Sequence, residues 1–204
     1  MKNFIVKNNL YLITALGIIV VIITVLNWSA MPVLQRMMGL FFLAIVLHLW
    51  EEGKFPGGFT EMITKTLKFT ASSPHFGEII TVSYVLLITL VPLFFSNVAW
   101  LIMAPMMLGI LEVVAHLAAI KMFKLKRFYS PGLVTAVVVL LPISIYTIVY
   151  AAQHNLMPPV SWLFSFIYMA IGLLSAQQIV VRTSGMKYTE FLKNVRGTLF
   201  ANRK

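Results

Sequence analysis

"MPVLQRMMGLFFLAIVLHLWEEGKF", residues 31–55, is the stretch on which the reading of this fold turns. It holds twenty mostly apolar residues to Trp50, and then Glu51, Glu52, Gly53 and Lys54 follow at once. A helix needs about 20 apolar residues to cross the hydrocarbon of a bilayer. Candidate spans of this kind cover 9–28, 31–50, 79–96, 98–120, 132–152 and 160–181. Short polar or proline-bearing breaks, "WSAMP", "FFSNVAW" and "QHNLMPP", separate the pairs.

Composition agrees. Of 204 residues, 60% are hydrophobic and 11% charged, with a mean hydropathy of +0.91, where soluble domains carry roughly a quarter charged residues. The expected fold is all-α: a polytopic membrane bundle of six transmembrane helices over 1–181, followed by a basic amphipathic cytoplasmic tail over 182–204. The first apolar run follows Lys2 and Lys7, is longer than a signal-peptide core and precedes no cleavage site, so it reads as a retained span. Between spans two and three, "FTEMITKTLKFT" mixes charged and apolar residues at helical spacing, which suits a segment lying in the interface. Pro92, Pro105 and Pro142 fall inside spans three, four and five and are expected to kink them.

The net charge of +10 does not imply nucleic acid, because the cations flank oily segments. With six spans, fifteen of the sixteen lysines and arginines fall on one side and only Arg36 on the other. That asymmetry predicts cytoplasmic N- and C-termini in the cytoplasmic (plasma) membrane, with membrane lipids as partners. Cysteine is absent, which excludes disulfides, thiolate metal sites, iron–sulfur clusters and cysteine nucleophiles.

The same topology gathers ionisable groups. His48 shares a helix face with Glu51 and Glu52. Span four carries Glu112 and His116 in "EVVAH", and span three opens with His75 and Glu78 in "SPHFGE". Four of six acids and three of four histidines thus fall in one layer near the cytoplasmic boundary. Helix ends emerging into water account for part of this. They do not account for Glu112 and His116, which lie within an apolar span where a carboxylate is expensive unless paired.

Spans two and four each offer a histidine and a glutamate four residues apart, which together make a mixed nitrogen–oxygen cage. Zinc accepts such ligands with an open position; iron or manganese takes a carboxylate-richer set. Candidate metal ligands are His48, Glu52, His116, Glu112, His75 and Glu78, and candidate catalytic carboxylates are Glu51, Glu52 and Glu112. With an ion bound, one glutamate is free to act as general base. Without one, a Glu–His pair is a proton shuttle.

"HLWEE" followed by "FPGGF", then a later histidine and "RFYSPGLVTA", resembles the bacterial HXXEE-motif membrane proteins over roughly residues 44–140. His48, Glu51 and Glu52 match the naming motif and His116 the later histidine. Ser130 stands where the family's stretch has asparagine, and Glu112 also replaces an asparagine, which leaves its role as a ligand open. The resemblance implies no settled biochemical role. Independently of it, Pro131 suits a first helical turn with Ser130 as its cap; a plain capped start is the preferred reading, with an anionic headgroup on the free amides as its alternative.

The function expected first is a membrane-embedded, metal-dependent, hydrolase-type enzyme, with zinc ahead of iron or manganese. Its substrate is a lipid or other amphiphile entering from the cytoplasmic leaflet. A metal-free acid–base lipid isomerase and a metal-ion or proton transporter or sensor are the alternatives.

Overall fold

The computed structural model describes residues 2–67 and 74–200. All of the described secondary structure is helical: α1 (Lys2–Leu26), α2 (Val33–Gly53), α3 (Phe59–Leu67), α4 (Pro74–Phe94), α5 (Ala99–Met122), α6 (Leu133–Gln153), α7 (Pro159–Thr183) and α8 (Tyr188–Phe200). Six of these, all but α3 and α8, contain stretches long and apolar enough to cross a membrane. The helix bounds differ from the hydropathy spans by a few residues. The informative difference is in α2, which continues through Gly53 and so carries Glu51 and Glu52 inside the helix.

α2 is the central helix. Met38, Phe41, Phe42, Ala44, Ile45 and Val46 are buried on successive sides of it, as happens only when neighbours surround a helix. α1, α4, α5 and α6 all pack on it. Gly39 brings α1 close: a Cβ there would collide with the Thr24 hydroxyl. α7 lies outside α4 and α5 and exposes Leu163, Phe164, Phe166, Ile167, Ile171 and Leu174. α1 likewise exposes Ile18, Ile19, Ile22 and Ile23. Apolar surface this extensive fits hydrocarbon around the bundle and does not fit water.

α6 is not uniform. Across Ala136–Leu140 it widens to π winding, and the Leu141 amide donates to the Ala136 carbonyl, five residues back. Pro142 follows directly. It has no amide hydrogen for the turn before it, so the expected irregularity takes the form of a π turn, a common companion of functional sites.

The C-terminal ends of α2 and α5 and the N-terminal end of α6 meet at one end of the bundle. α3 and α8 pack there too: Leu67, Val181 and Phe191 are buried together, and the Asn194 amide donates to the Leu67 carbonyl at 3.0 Å. Arg36 sits at the other end, over the Trp28 ring.

Candidate metal centre

α2 ends in the motif that places His48, Glu51 and Glu52 on its last turn and a half. His48 and Glu52, four residues apart, face α5. Glu51 is rotated towards α6. From α5, Glu112 and His116 face back. His48 is 2% exposed and His116 fully buried.

The four groups converge. The two Nε2 atoms lie 3.4 Å apart. Glu52 Oε1 is 3.4 Å from His116 Nε2 and 3.7 Å from His48 Nε2. Glu112 Oε2 stands 3.8 Å from His48 Nε2 and 3.9 Å from His116 Nε2. Three of them, His48, Glu52 and His116, could hold a metal ion with one ligand atom each. In a tetrahedral zinc site with bonds of about 2.0–2.1 Å, neighbouring ligand atoms lie about 3.3–3.4 Å apart. The observed separations are at that value or slightly above it.

The outer atoms of both rings are held by hydroxyls. His48 Nδ1 lies 3.0 Å from Thr135 Oγ1. That hydroxyl donates its single hydrogen to Glu51 Oε2 at 2.6 Å, so it accepts from an Nδ1–H. His116 Nδ1 lies 3.1 Å from Ser130 Oγ, whose hydrogen goes to the His116 carbonyl. With its hydrogen on Nδ1, each ring turns an Nε2 lone pair inward. Two such lone pairs at 3.4 Å repel unless a cation, whether a metal ion or a proton on one nitrogen, lies between them. Hydroxyl or carboxylate partners behind the rings are also how proteins fix a ligating imidazole.

Glu51 binds elsewhere. It accepts four hydrogen bonds: Tyr129 Oη at 2.9 Å and the Val134 amide at 3.1 Å on one oxygen, the Thr135 amide at 2.7 Å and the Thr135 hydroxyl on the other. It is the anion at the N-terminus of α6. This corrects two sequence expectations. The Ser130 side chain does not cap α6, which starts three residues later behind Gly132, and the free helix amides are already satisfied by a carboxylate from α2. Gly132, at φ +101°, packs against the imidazoles, and a Cβ there would lie 2.5 Å from His116 Nε2 and 2.9 Å from His48 Cε1. Only glycine allows both the backbone angle and the approach.

Phe59, the first residue of α3, leans on His116 with ring centroids 5.0 Å apart. Glu78 is exposed at the start of α4 and accepts from Asn9 of α1 at 3.3 Å; it is not part of the histidine group. The side chain of His75 lies outside those described. Four of the six expected ligands are therefore together, and Thr135, Ser130, Gly132 and Tyr129 join them without having been expected as supports. The signal for them lay in "YSPGLVTA", where a hydroxyl, a glycine and a second hydroxyl follow a tyrosine.

A family model described as a protein of unknown function with HXXEE motif matches residues 39–147, just over half of the chain. The matched segment contains His48, Glu51, Glu52, Glu112 and His116 together with Tyr129, Ser130, Gly132 and Thr135. No curated protein and no solved structure matches the chain.

Proposed function

The chain belongs to the HXXEE-motif family, and from that premise we propose that it is a membrane-embedded enzyme using a divalent metal ion, zinc before iron or manganese. His48, His116 and Glu52 hold the ion. Glu112, beside the remaining side of the cluster, is the general base, and Glu51 with Thr135 holds His48 in its ligating tautomer. The reaction is a hydrolysis at an ester or related bond of an amphiphile reaching the site from the cytoplasmic leaflet.

One observation carries this reading: both imidazoles meet hydroxyls at Nδ1, and their two Nε2 atoms converge with a carboxylate at metal-ligand spacing. When bound, such an ion supplies Lewis acidity and an activated water. Glu112 then accepts a proton from the attacking water. The ligand set leaves it outside the triad yet within 4 Å of both imidazoles.

A conduit for ions is the less supported alternative. Beyond the cluster, α2, α5 and α6 contribute Phe41, Phe42, Ile45, Met103, Met106 and Leu140, all essentially fully buried. Among the described residues no Asp, Glu, His, Lys or Arg lies in that layer, and Ser144 and Thr147 of α6 are its buried hydroxyls.

The test is elemental analysis of protein purified without chelators. About one equivalent of divalent ion per chain is expected, and none in His116→Ala. Wild-type protein that carries no ion and takes none up on dialysis removes the metal and leaves acid–base chemistry on the same residues. Glu112→Gln should keep the ion and lose about 10²–10⁴-fold in turnover of an ester amphiphile, the usual contribution of a positioned base.

A further inference from the structure

We infer that the loop joining α5 to α6, residues 123–132, is the seat of a phosphoryl headgroup, so that the amphiphile presented to the site is an anionic phospholipid. The inference deepens the proposed function, because it rests on the cluster being a site that takes an amphiphile.

The loop is fastened to the cluster at both ends. Lys121 follows His116 on α5 by five residues, about 7 Å at 1.5 Å per residue. At the other end Ser130 is bonded to His116 and Tyr129 to Glu51. Arg127 precedes Ser130 by three residues, a reach of at most about 11 Å. Lys124, Lys126 and Arg127 are all exposed on this short tether, and between Glu112 and Glu190 the sequence contains no acid. The cations are therefore not neutralised by carboxylates of their own loop.

Charge at the cluster makes them necessary for an anionic substrate. A divalent ion there is matched by Glu52 and Glu112, and Glu51 adds a further negative charge beside it. The cluster alone has no net attraction for a phosphate. The amides at the start of α6, the other niche suited to an anion, are filled by Glu51. Attraction has to come from the cations around the cluster, and the loop carries three of them where Lys54 at the end of α2 is one.

The rim is also shaped for an amphiphile and not for a simple anion. Phe128 is 80% exposed, and Phe55, stacked on Trp50 beside the HXXEE turn, is 74% exposed. Large apolar rings standing this far out next to lysines suit the boundary where headgroups meet acyl chains. Lys124 itself has φ +51°, a left-handed position where α5 ends and where glycine is usual. A lysine stands there although glycine would be easier on the backbone.

Full-length protein in detergent is titrated with dihexanoyl phosphatidic acid, dihexanoyl phosphatidylcholine and inorganic phosphate by calorimetry, with bound metal measured in every sample. Phosphatidic acid is expected to bind, and the combined variant Lys124→Gln, Lys126→Gln, Arg127→Gln to weaken it by at least about tenfold. A matched variant on α8 and the residue before it, Lys187→Gln, Lys193→Gln, Arg196→Gln, should leave the affinity unchanged. Phosphatidylcholine should bind weakly and alike to all three proteins. Equal affinity of the loop variant and wild type for phosphatidic acid, with metal present in both, overturns the headgroup seat and leaves the metal centre standing. Equal losses in the loop and α8 variants also overturn it, because the effect is then only general surface charge. Inorganic phosphate binding as tightly as phosphatidic acid overturns the lipid assignment in favour of a free phosphate. Loop-dependent binding in protein that holds no metal supports the seat and sinks the metal reading instead.

Discussion

Glu51 and Glu52 are adjacent in sequence and face different helices, and the difference sets what each substitution does. Glu52 faces two imidazole nitrogens; Glu51 faces two amides and two hydroxyls at the start of α6. Glu51→Gln keeps the shape but turns an NH₂ group towards donors. Thr135 then loses its strong acceptor and its hold on His48 Nδ1. Metal affinity should fall about 10–100-fold, as for other partners behind a ligand, while one ion per chain still binds at saturation. Chelator competition measures this, and an unchanged affinity would show that Glu51 serves α6 alone. Tyr129, outside the spans, carries the pH signature of the same contact. Its burial and then the neighbouring Glu51 carboxylate push the phenol from 10.0 up to about 12. The folded state thus holds this proton more tightly than the unfolded chain. The stabilisation is complete below pH 10 and is lost as pH rises from there through about 12. Wild type should lose unfolding temperature over that window more steeply than Tyr129→Phe, and equal slopes would remove Tyr129 from the network.

Helices were the legible part of the sequence, and their contacts were not. Length and hydropathy locate all six long helices because hydrocarbon thickness imposes them residue by residue. The four-residue spacings of His48 with Glu52 and of Glu112 with His116 place each pair on one face, so the halves of the cluster were readable before their meeting was. What supports them was not. Ser130 reads as a local cap, but the group that satisfies α6 comes from Glu51, about eighty residues earlier, and local spacing carries no trace of such a partner. The close approach of α1 to α2 was equally hidden. It depends on Gly39 facing Thr24, whose hydroxyl donates to the Val20 carbonyl at 2.8 Å. Gly39→Ala should destabilise the bundle by about 1–3 kcal/mol, the usual cost of an added methyl in a packed core. Thr24→Ala in the same chain should restore much of it. Thermal unfolding of the two single variants and the double reads this directly, and a simple sum of effects would mean that the helices part without strain.

At the scale of the whole molecule the site and, among the described residues, the basic side chains other than Arg36 share one end of the bundle. α2 and α5 end there, α6 begins there, α3 and α8 pack beneath it, and Arg36 marks the opposite end. Charge asymmetry of this kind orients membrane proteins with the basic end in the cytoplasm, which is why the substrate is proposed to come from that leaflet. The orientation can be read without background, because the sequence contains no cysteine. A single Ser29→Cys, in the exposed turn between α1 and α2, should react with a membrane-impermeant maleimide in intact cells. A single Lys126→Cys, in the loop beside the cluster, should react only after permeabilisation. Labelling of Lys126→Cys in intact cells would reverse the bundle and put the metal centre at the outer leaflet. The cations would then lie on the side opposite to the one their charge favours, and they would need the headgroup itself as the reason for being there.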